Sequence, residues 1–383
     1  MSKTDYKRLG DYIREVDVRN RDLKVTKLLG LSMTKQFRPS TSNIVGVDLS
    51  KYKVVDKNVF AFDPMSVIRV HKVPIALNSD NLPIIVSPAY ITFKSIDENI
   101  LDARYLMMWF RRNEFDRYAD FKSDASVRGG YNWNELCETQ IILPSIDQQR
   151  KIVAEYNAIQ QRIKLNEQLI VKLEETAQAI YRKMFVDGID KNNLPEGWRM
   201  GQVKNFGVVV TGKTPSTLDE DNFGEYMPFV TIPDMHKNIF IYKTERMLSR
   251  KGVDTQKKKT LPLNSICVSC IGTPGLVSIT TVKCQTNQQI NSIVINDANN
   301  LYYLYLALKD LQKVIAEYGI GGAVLNNLNK NDFENLNILI PKEHDLAMFQ
   351  SKIQCIFNLI RLKQDEQMKL HKLHFLILAK IIY

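Results

Sequence analysis

The sequence predicts an α+β protein. It should hold two similar domains of mixed, curled β-sheet and short helices, joined by two long helices that form an antiparallel coiled coil with pseudo-two-fold symmetry. Three observations predict this. The order of segments repeats about 197 residues apart. Each copy closes on the same signature, Ile141-Ile142-Leu143-Pro144 and Ile338-Leu339-Ile340-Pro341. A long stretch of helical period then follows each signature.

Anchors upstream keep the same order. Asn134-Glu135-Leu136 lies over Asn331-Asp332-Phe333, Tyr105-Leu106 near Tyr303-Leu304, and Val86-Ser87-Pro88 near Thr286-Asn287-Gln288. So long a period excludes a solenoid and gives two domains of one fold. The expected boundaries are 1–143 and 195–340 for the domains, 144–187 and 341–383 for the long helices, and 188–194 for a linker entered at Gly188.

Within the domains the segments are short and β-rich, as in Lys53-Val54-Val55, Val59-Phe60-Ala61-Phe62, Pro83-Ile84-Ile85-Val86, Ile266-Cys267-Val268-Ser269 and Ser292-Ile293-Val294-Ile295. Turns fall at Asp63-Pro64 and Gly272-Thr273-Pro274-Gly275, and helical patches at 102–118 and 299–318.

The first long helix carries a heptad seam at Ile152, Tyr156, Ile159, Ile163, Asn166, Ile170, Leu173, Ala177, Ile180 and Met184. The second repeats it at Phe349, Ile353, Ile356, Ile360, Lys363, Gln367, Leu370, His374, Ile377 and Ile381. One seam leaves one domain and the other starts at the second, so they pair compactly only antiparallel. Asn166 then falls near Lys363 and Gln367, polar residues that fix register at some cost in stability. Each seam is ~50 Å long, a length that suits domains reading DNA one to two turns (~34 Å each) apart.

Composition is compatible with a polyanionic partner but does not demand one. The formal charge is +10 and the pI about 9.1, with no basic tail. No segment approaches the ~18 apolar residues of a membrane span, and Met1-Ser2-Lys3-Thr4-Asp5 lacks the apolar stretch of a signal peptide. Five cysteines in so large a chain point to a reducing compartment and a cytoplasmic protein.

Three motifs invite chemistry. Gly207-Val208-Val209-Val210-Thr211-Gly212-Lys213-Thr214 matches the P-loop pattern, with Lys213 on phosphates and Thr214 on magnesium. Its valines read as a strand within the loop, however, and Pro215 follows where a helix should begin. The bland reading is a strand entering a Gly-Lys-Thr-Pro turn, which still leaves Lys213 and Thr214 as candidate DNA-phosphate contacts. Cys267 and Cys270 have zinc-ligand spacing, but their alternation with Ile266, Val268 and Ile271 marks strand residues. The third group is basic and polar residues near turns: Lys35, Arg38, Arg69, Lys72, Lys237, Lys257 and Lys258, with Arg128 and Tyr131 in one glycine-flanked late loop and Asn326 and Asn327 in the other. Glycines permit close backbone approach, and Arg128 suits guanine bidentately. Most such lysines are ordinarily solvated surface.

The chain resembles the specificity subunits of type I restriction-modification enzymes. The resemblance rests on Ile142-Leu143-Pro144-Ser145-Ile146-Asp147-Gln148-Gln149-Arg150-Lys151-Ile152 running on to Met184-Phe185, and on Leu194-Pro195-Glu196-Gly197-Trp198. Thr211-Gly212-Lys213-Thr214-Pro215-Ser216 and Asn287-Gln288-Gln289-Ile290 add to it. The first half departs in opening with Tyr6-Lys7-Arg8-Leu9, and the second helix in carrying His344-Asp345-Leu346-Ala347. The resemblance implies a non-catalytic subunit whose two target recognition domains each read half of a bipartite, asymmetric double-stranded DNA sequence, the helices setting the gap. It also implies docking of two methyltransferase and two restriction subunits, with S-adenosylmethionine, ATP and magnesium held by those partners. Consistent with this, the sequence has no Asn/Asp-Pro-Pro-Tyr/Phe motif and no glycine-rich cofactor loop. Two rival readings are a P-loop NTPase using 207–214 and a coiled-coil adaptor that binds only proteins. The adaptor leaves the duplicated α+β module unexplained.

Overall fold

Short β-rich runs between turns give short strands here, and the chain joins them into small sheets. The computed structural model describes residues 6–40, 46–124, 131–317 and 328–381. Its contacts fall into two units, Met1–Lys164 with Lys369–Tyr383, and Leu165–Met368, so each unit contains part of each long helix.

In the first unit, Tyr6–Arg8 pairs antiparallel with Gln140–Ile142, which closes the domain's start onto its end. The central sheet has the order Ile13–Glu15, Ile91–Ser95, Phe60–Phe62, Ile75–Leu77, all antiparallel. Phe60, Phe62 and Phe93 face the helices, the rings of Phe60 and Phe93 stacking at 4.7 Å, and each buried side chain contributes roughly 1.5–3 kcal/mol. Helix Ala103–Phe110 is apolar nearly all round and accordingly buried. It starts at Asp102, whose carboxylate accepts the N–H groups of Arg104 (2.8 Å) and Tyr105 (3.3 Å). The patch expected at 102–118 is two helices, because the chain turns at Arg111-Arg112 before Asn113–Asp124 begins.

The second unit repeats the plan. Arg199–Gln202 pairs with Asn337–Ile340, and the main sheet runs Gly207–Thr211, Ile290–Ile295, Ile266–Ser269, Val277–Thr280, Phe240–Ile241. The last pairing is parallel and the others antiparallel. A three-stranded sheet, Arg246–Leu248, Phe223–Val230, Gln285–Thr286, lies beside it in sequence. Strand for strand, the first four positions of the two main sheets correspond, so the repeat inferred from the sequence is a repeat of topology. Two details confirm the alignment. Tyr105 donates its hydroxyl to Ile142 O (3.2 Å), and Tyr303 donates its own to Leu339 O (2.6 Å). Asn132 caps helix Trp133–Cys137 by accepting Glu135 N (3.1 Å), as Asn329 caps Lys330–Glu334 by accepting Asp332 N (3.0 Å).

One expectation needs correction. Among the described residues the strands form small sheets that do not curl, and the main sheet is mixed in the second domain but purely antiparallel in the first. Most of these strands are two to five residues long, too short to coil far.

The long helices span Ile146–Phe185 and Glu343–Lys380. In the second unit they run antiparallel: Phe185 meets Phe349 (5.1 Å between ring centroids), while Gln367 Nε2 donates to Glu167 Oε1 (3.2 Å). Within the first unit His374 lies 4.4 Å from the Tyr156 ring and Ile377 and Ile381 pack beside Ile152, again antiparallel. Of the register residues, Gln367 bonds to Glu167, the residue next to Asn166. Asn166 is buried, but its Nδ2 finds no partner, and Lys363 turns to Glu366 on its own helix (2.7 Å). An i,i+3 carboxylate is the nearer partner for a lysine. The neighbouring Gln364 is the buried one, and its Oε1 accepts Phe240 N (3.0 Å), tying the helix to the sheet.

Candidate nucleic-acid interface

In the second domain, strand directions bring several polar segments to one end of the main sheet. Thr211 pairs with Asn291, Ser269 with Ile290 and Val268 with Val277, so the turns after 211, after 269 and before 290 emerge together. Gly212 is pressed against the chain at 286–287: a Cβ there would stand 2.1 Å from Asn287 O and 2.4 Å from Thr286 O. The contact is fastened by Gly212 N to Ile290 O (3.1 Å), Lys213 N to Thr286 O (2.9 Å) and Thr214 Oγ1 to Gln288 Oε1 (2.6 Å). Cys270 N donates to Gln289 O (2.8 Å), and Gly272, at φ +80°, lies next to the Gln289 amide. Lys213, Gln288 and Thr273 remain exposed at this end, Lys213 without an ion pair among the described residues.

These same facts remove the P-loop. Gly207–Thr211 is a strand inside the motif, and no helix follows Thr214. The two cysteines serve opposite cores: Cys267 packs with Cys284 and Ile290, Cys270 with Ile279 and Leu328. Burial pushes both thiols up to about 11.

Lys237, exposed at φ +62°, lines a cleft of about 510 Å³ together with Gly275, Leu276 and Val277 and with the first long helix at 167–174. Lys257 and Lys258 sit on a one-turn helix held from beneath by Gln285. That amide donates to Val253 O (3.2 Å), Gln256 O (3.3 Å) and Thr260 Oγ1 (2.9 Å) and accepts from Gln256 Nε2 (2.8 Å).

The corresponding end of the first domain carries the segment 63–74. Asp63 opens it by accepting Met65 N (2.9 Å) and Ser66 Oγ (2.5 Å), and Arg69 and Lys72 are exposed along it. Arg38 lies on the hairpin of Leu29–Leu31 and Phe37–Pro39, its Nε donating to Leu31 O (3.1 Å). Two candidates leave the surface. Tyr131 is fully buried, its hydroxyl 2.5 Å from Thr139 Oγ1, because an aromatic beside Phe115 gains more from the core than from water. Lys35 is buried with its amine 2.6 Å from both Asp116 Oδ1 and Phe110 O. Burial lowers its pKa, and the Asp116 carboxylate opposes that fall. Arg128, Asn326 and Asn327 lie outside the described residues. The sequence reading passed over Thr273, Gln288 and Gln289 as contacts; three consecutive amides at 287–289 ahead of an apolar strand were the available signal.

The arrangement offers side-chain amides and lysines on turns at the end of a sheet, donors that phosphate and base edges accept. Among the described residues no helix is long and apolar enough to cross a membrane.

Comparisons agree with this geometry. Residues 195–370 match the type I restriction modification DNA specificity domain. Over 216 residues the chain is 38% identical to the type I restriction enzyme HindI specificity subunit of Haemophilus influenzae, covering 55% of this chain and 47% of that protein. It is 25% identical over 189 residues to the type I restriction enzyme MjaIX specificity subunit of Methanocaldococcus jannaschii, covering 48% of this chain and 43% of that one. The chain thus spans about half the length of these curated relatives. In fold it is similar to the S subunit of a type I restriction-modification system from M. genitalium, with a TM-score of 0.57 and 13% identity over 100% of this chain and 97% of that one. The second domain and most of the long helix after it thus match the type I restriction modification DNA specificity domain, and the chain shares its fold with a solved S subunit.

Proposed function

We propose that this chain is the DNA-specificity subunit of a type I restriction-modification complex and reads a bipartite, asymmetric double-stranded target. In this reading residues 1–143 and 195–340 are the two target recognition domains. Segments 144–187 and 341–383 are the spacer helices, and 188–194 is the linker. The chain itself performs no chemistry. Two methyltransferase subunits supply S-adenosylmethionine, two restriction subunits use ATP and magnesium, and the assembly works in the cytoplasm.

The observation that carries the reading is the equivalence of the two domains. The first four strands of each main sheet share one order, and the same end of each sheet presents exposed polar side chains on turns, Arg69 and Lys72 in the first domain and Lys213 and Gln288 in the second. A protein-only adaptor gains nothing from two such surfaces, whereas a reader of two half-sites needs both.

The test is to co-express the chain with its methyltransferase partner and map adenine methylation across a genome by single-molecule sequencing. A bipartite motif with a fixed gap is expected, one half of which changes when residues 1–143 are exchanged for those of a related subunit. An assembled, soluble complex with no motif that depends on this chain would sink the reading.

A further inference from the structure

The tip of the hairpin at 29–39 is fastened in an unusual way. Lys35 occupies the left-handed region at φ +59° and donates its N–H to Ser32 O (3.1 Å), which turns its side chain inward instead of toward solvent. The amine reaches Asp116 Oδ1 and Phe110 O, both at 2.6 Å, and lies 4.9 Å from the centre of the Phe115 ring. The same Asp116 oxygen also accepts the backbone N–H of Val73 (3.0 Å). One buried carboxylate on helix Asn113–Asp124 therefore holds two segments that are far apart in sequence: the hairpin bearing Arg38 and the segment 63–74 bearing Arg69 and Lys72. One turn further along that helix, Asp120 meets His71 Nδ1 (2.9 Å) and makes a second tie to the 63–74 segment.

Stability alone does not account for such a pair. A buried ion pair is often replaced by apolar residues of like volume at no loss, since the desolvation of both charges offsets their attraction. What an apolar pair cannot reproduce is direction: two short hydrogen bonds at Lys35 and one at Val73 set the position of both segments relative to one helix.

We propose that Asp116, with Lys35, is a positioning residue for base selection by the first domain: it sets the hairpin and the 63–74 segment at a fixed separation, so that their exposed side chains meet one half-site in a single register. The inference rests on the DNA-specificity reading above.

The experiment uses the full chain in complex with its methyltransferase partner and compares Asp116→Asn, Lys35→Met and the double variant Lys35→Met/Asp116→Leu with the unaltered protein. Methylation at the cognate motif is measured against motifs with one mismatch in either half. For each variant the ratio should fall about tenfold for mismatches in the half assigned to residues 1–143, the discrimination carried by one displaced base contact. The ratio for the other half and the gap should be unchanged, which a merely weakened fold would not produce. Unchanged ratios in both halves overturn the proposal. Should a single variant fail to assemble, the double variant decides, because it leaves no unpaired charge. If it too fails to methylate, the pair is a folding requirement and the proposal falls. Absence of any bipartite motif for the unaltered chain would instead refute the DNA-specificity reading.

Discussion

Gly212→Ala should detach one turn of the second domain's reading end while leaving the first domain untouched. The added Cβ would stand 2.2 Å from the Thr286 Oγ1 side chain and 2.1 Å from Asn287 O and 2.4 Å from Thr286 O, two backbone carbonyls that cannot rotate away. Ordinary contact lies above about 3.4 Å, so the two chains must part by roughly 1 Å. That separation breaks the bonds from Gly212 N to Ile290 O and from Lys213 N to Thr286 O. At ~0.5–1.5 kcal/mol per bond and ~1–3 kcal/mol for the overpacking, the loss is about 2–6 kcal/mol. A domain with 5–15 kcal/mol of stability survives that with a displaced loop or a lowered melting temperature.

Two assays read the outcome. Thermal unfolding should show a midpoint lowered by about 4 °C or more, at ~2–4 °C per kcal/mol for a unit of this size. Methylation mapping should show selectivity lost only in the half not governed by residues 1–143. Gly30→Ala is the control: its nearest neighbour to an added Cβ is Arg38 Cζ at 4.0 Å, so the change should stay within about 0.5 kcal/mol. An unshifted midpoint together with an unaltered motif for Gly212→Ala would refute the claim that this glycine seats the turn.

Three further outcomes follow from the scaffold. Tyr303→Phe should cost about 1–3 kcal/mol by leaving Leu339 O without its donor, and Tyr105→Phe should cost less because its bond is longer; chemical denaturation of the two variants ranks them. Gln149→Leu should destabilise the first domain by about 2–4 kcal/mol, since the fully buried amide donates to Ile100 O and Pro144 O (2.9 Å each) and accepts from Asp102 N (3.0 Å). Acidification should loosen the helix pair in the first unit. Burial, with the nearby charges of Arg111 and His371, lowers the His374 pKa below 6.5. The unfolded chain therefore takes the proton first, and stability present above pH 6.5 is lost as the pH falls through the lowered value. Unfolding midpoints measured across that window should flatten in His374→Gln relative to the unaltered chain, and equal slopes would count against the assignment.

Much of the scaffold was legible because it repeats. The Ile-Ile-Leu-Pro and Ile-Leu-Ile-Pro signatures lead out of equivalent last strands, and Tyr105 and Tyr303, aligned by spacing alone, bond to equivalent carbonyls. The heptad seams were legible too, since burial follows them through Tyr156, Ile163, Ile170 and Ala177 and through Phe349, Ile353 and Ile360. What the sequence hid is where a polar side chain points. Lys35 and Tyr131 sit beside turns, as surface residues do, yet a left-handed backbone at 35 and an aromatic pocket at 131 draw both inward. The seam showed Lys363 at a core position, but one residue's rotation gave Gln364 the buried place and a bond to Phe240 N. Such choices depend on partners far away in sequence, and no local period encodes them.

The two domains also differ in an instructive way where the long helices begin. Gln149 of the first helix and Leu346 of the second fall at equivalent positions, 197 residues apart, and both are buried. The glutamine satisfies three backbone groups, whereas in the second domain a polar cleft of about 630 Å³ opens beside Leu346, lined by Asn205, Asn296, Asn299, Asn300 and His344. An apolar residue can occupy the seat because the equivalent backbone groups are satisfied locally, Asn299 N by the Asp297 carboxylate (2.9 Å) and Asp297 O by Asn300 N (3.0 Å), and an unpaired buried carbonyl or amide would cost ~1–3 kcal/mol. The helix junction is thus fixed by backbone satisfaction in one copy and by apolar packing in the other. Conserving topology while changing the fastening lets each domain alter its polar turns without disturbing the sheet that presents them.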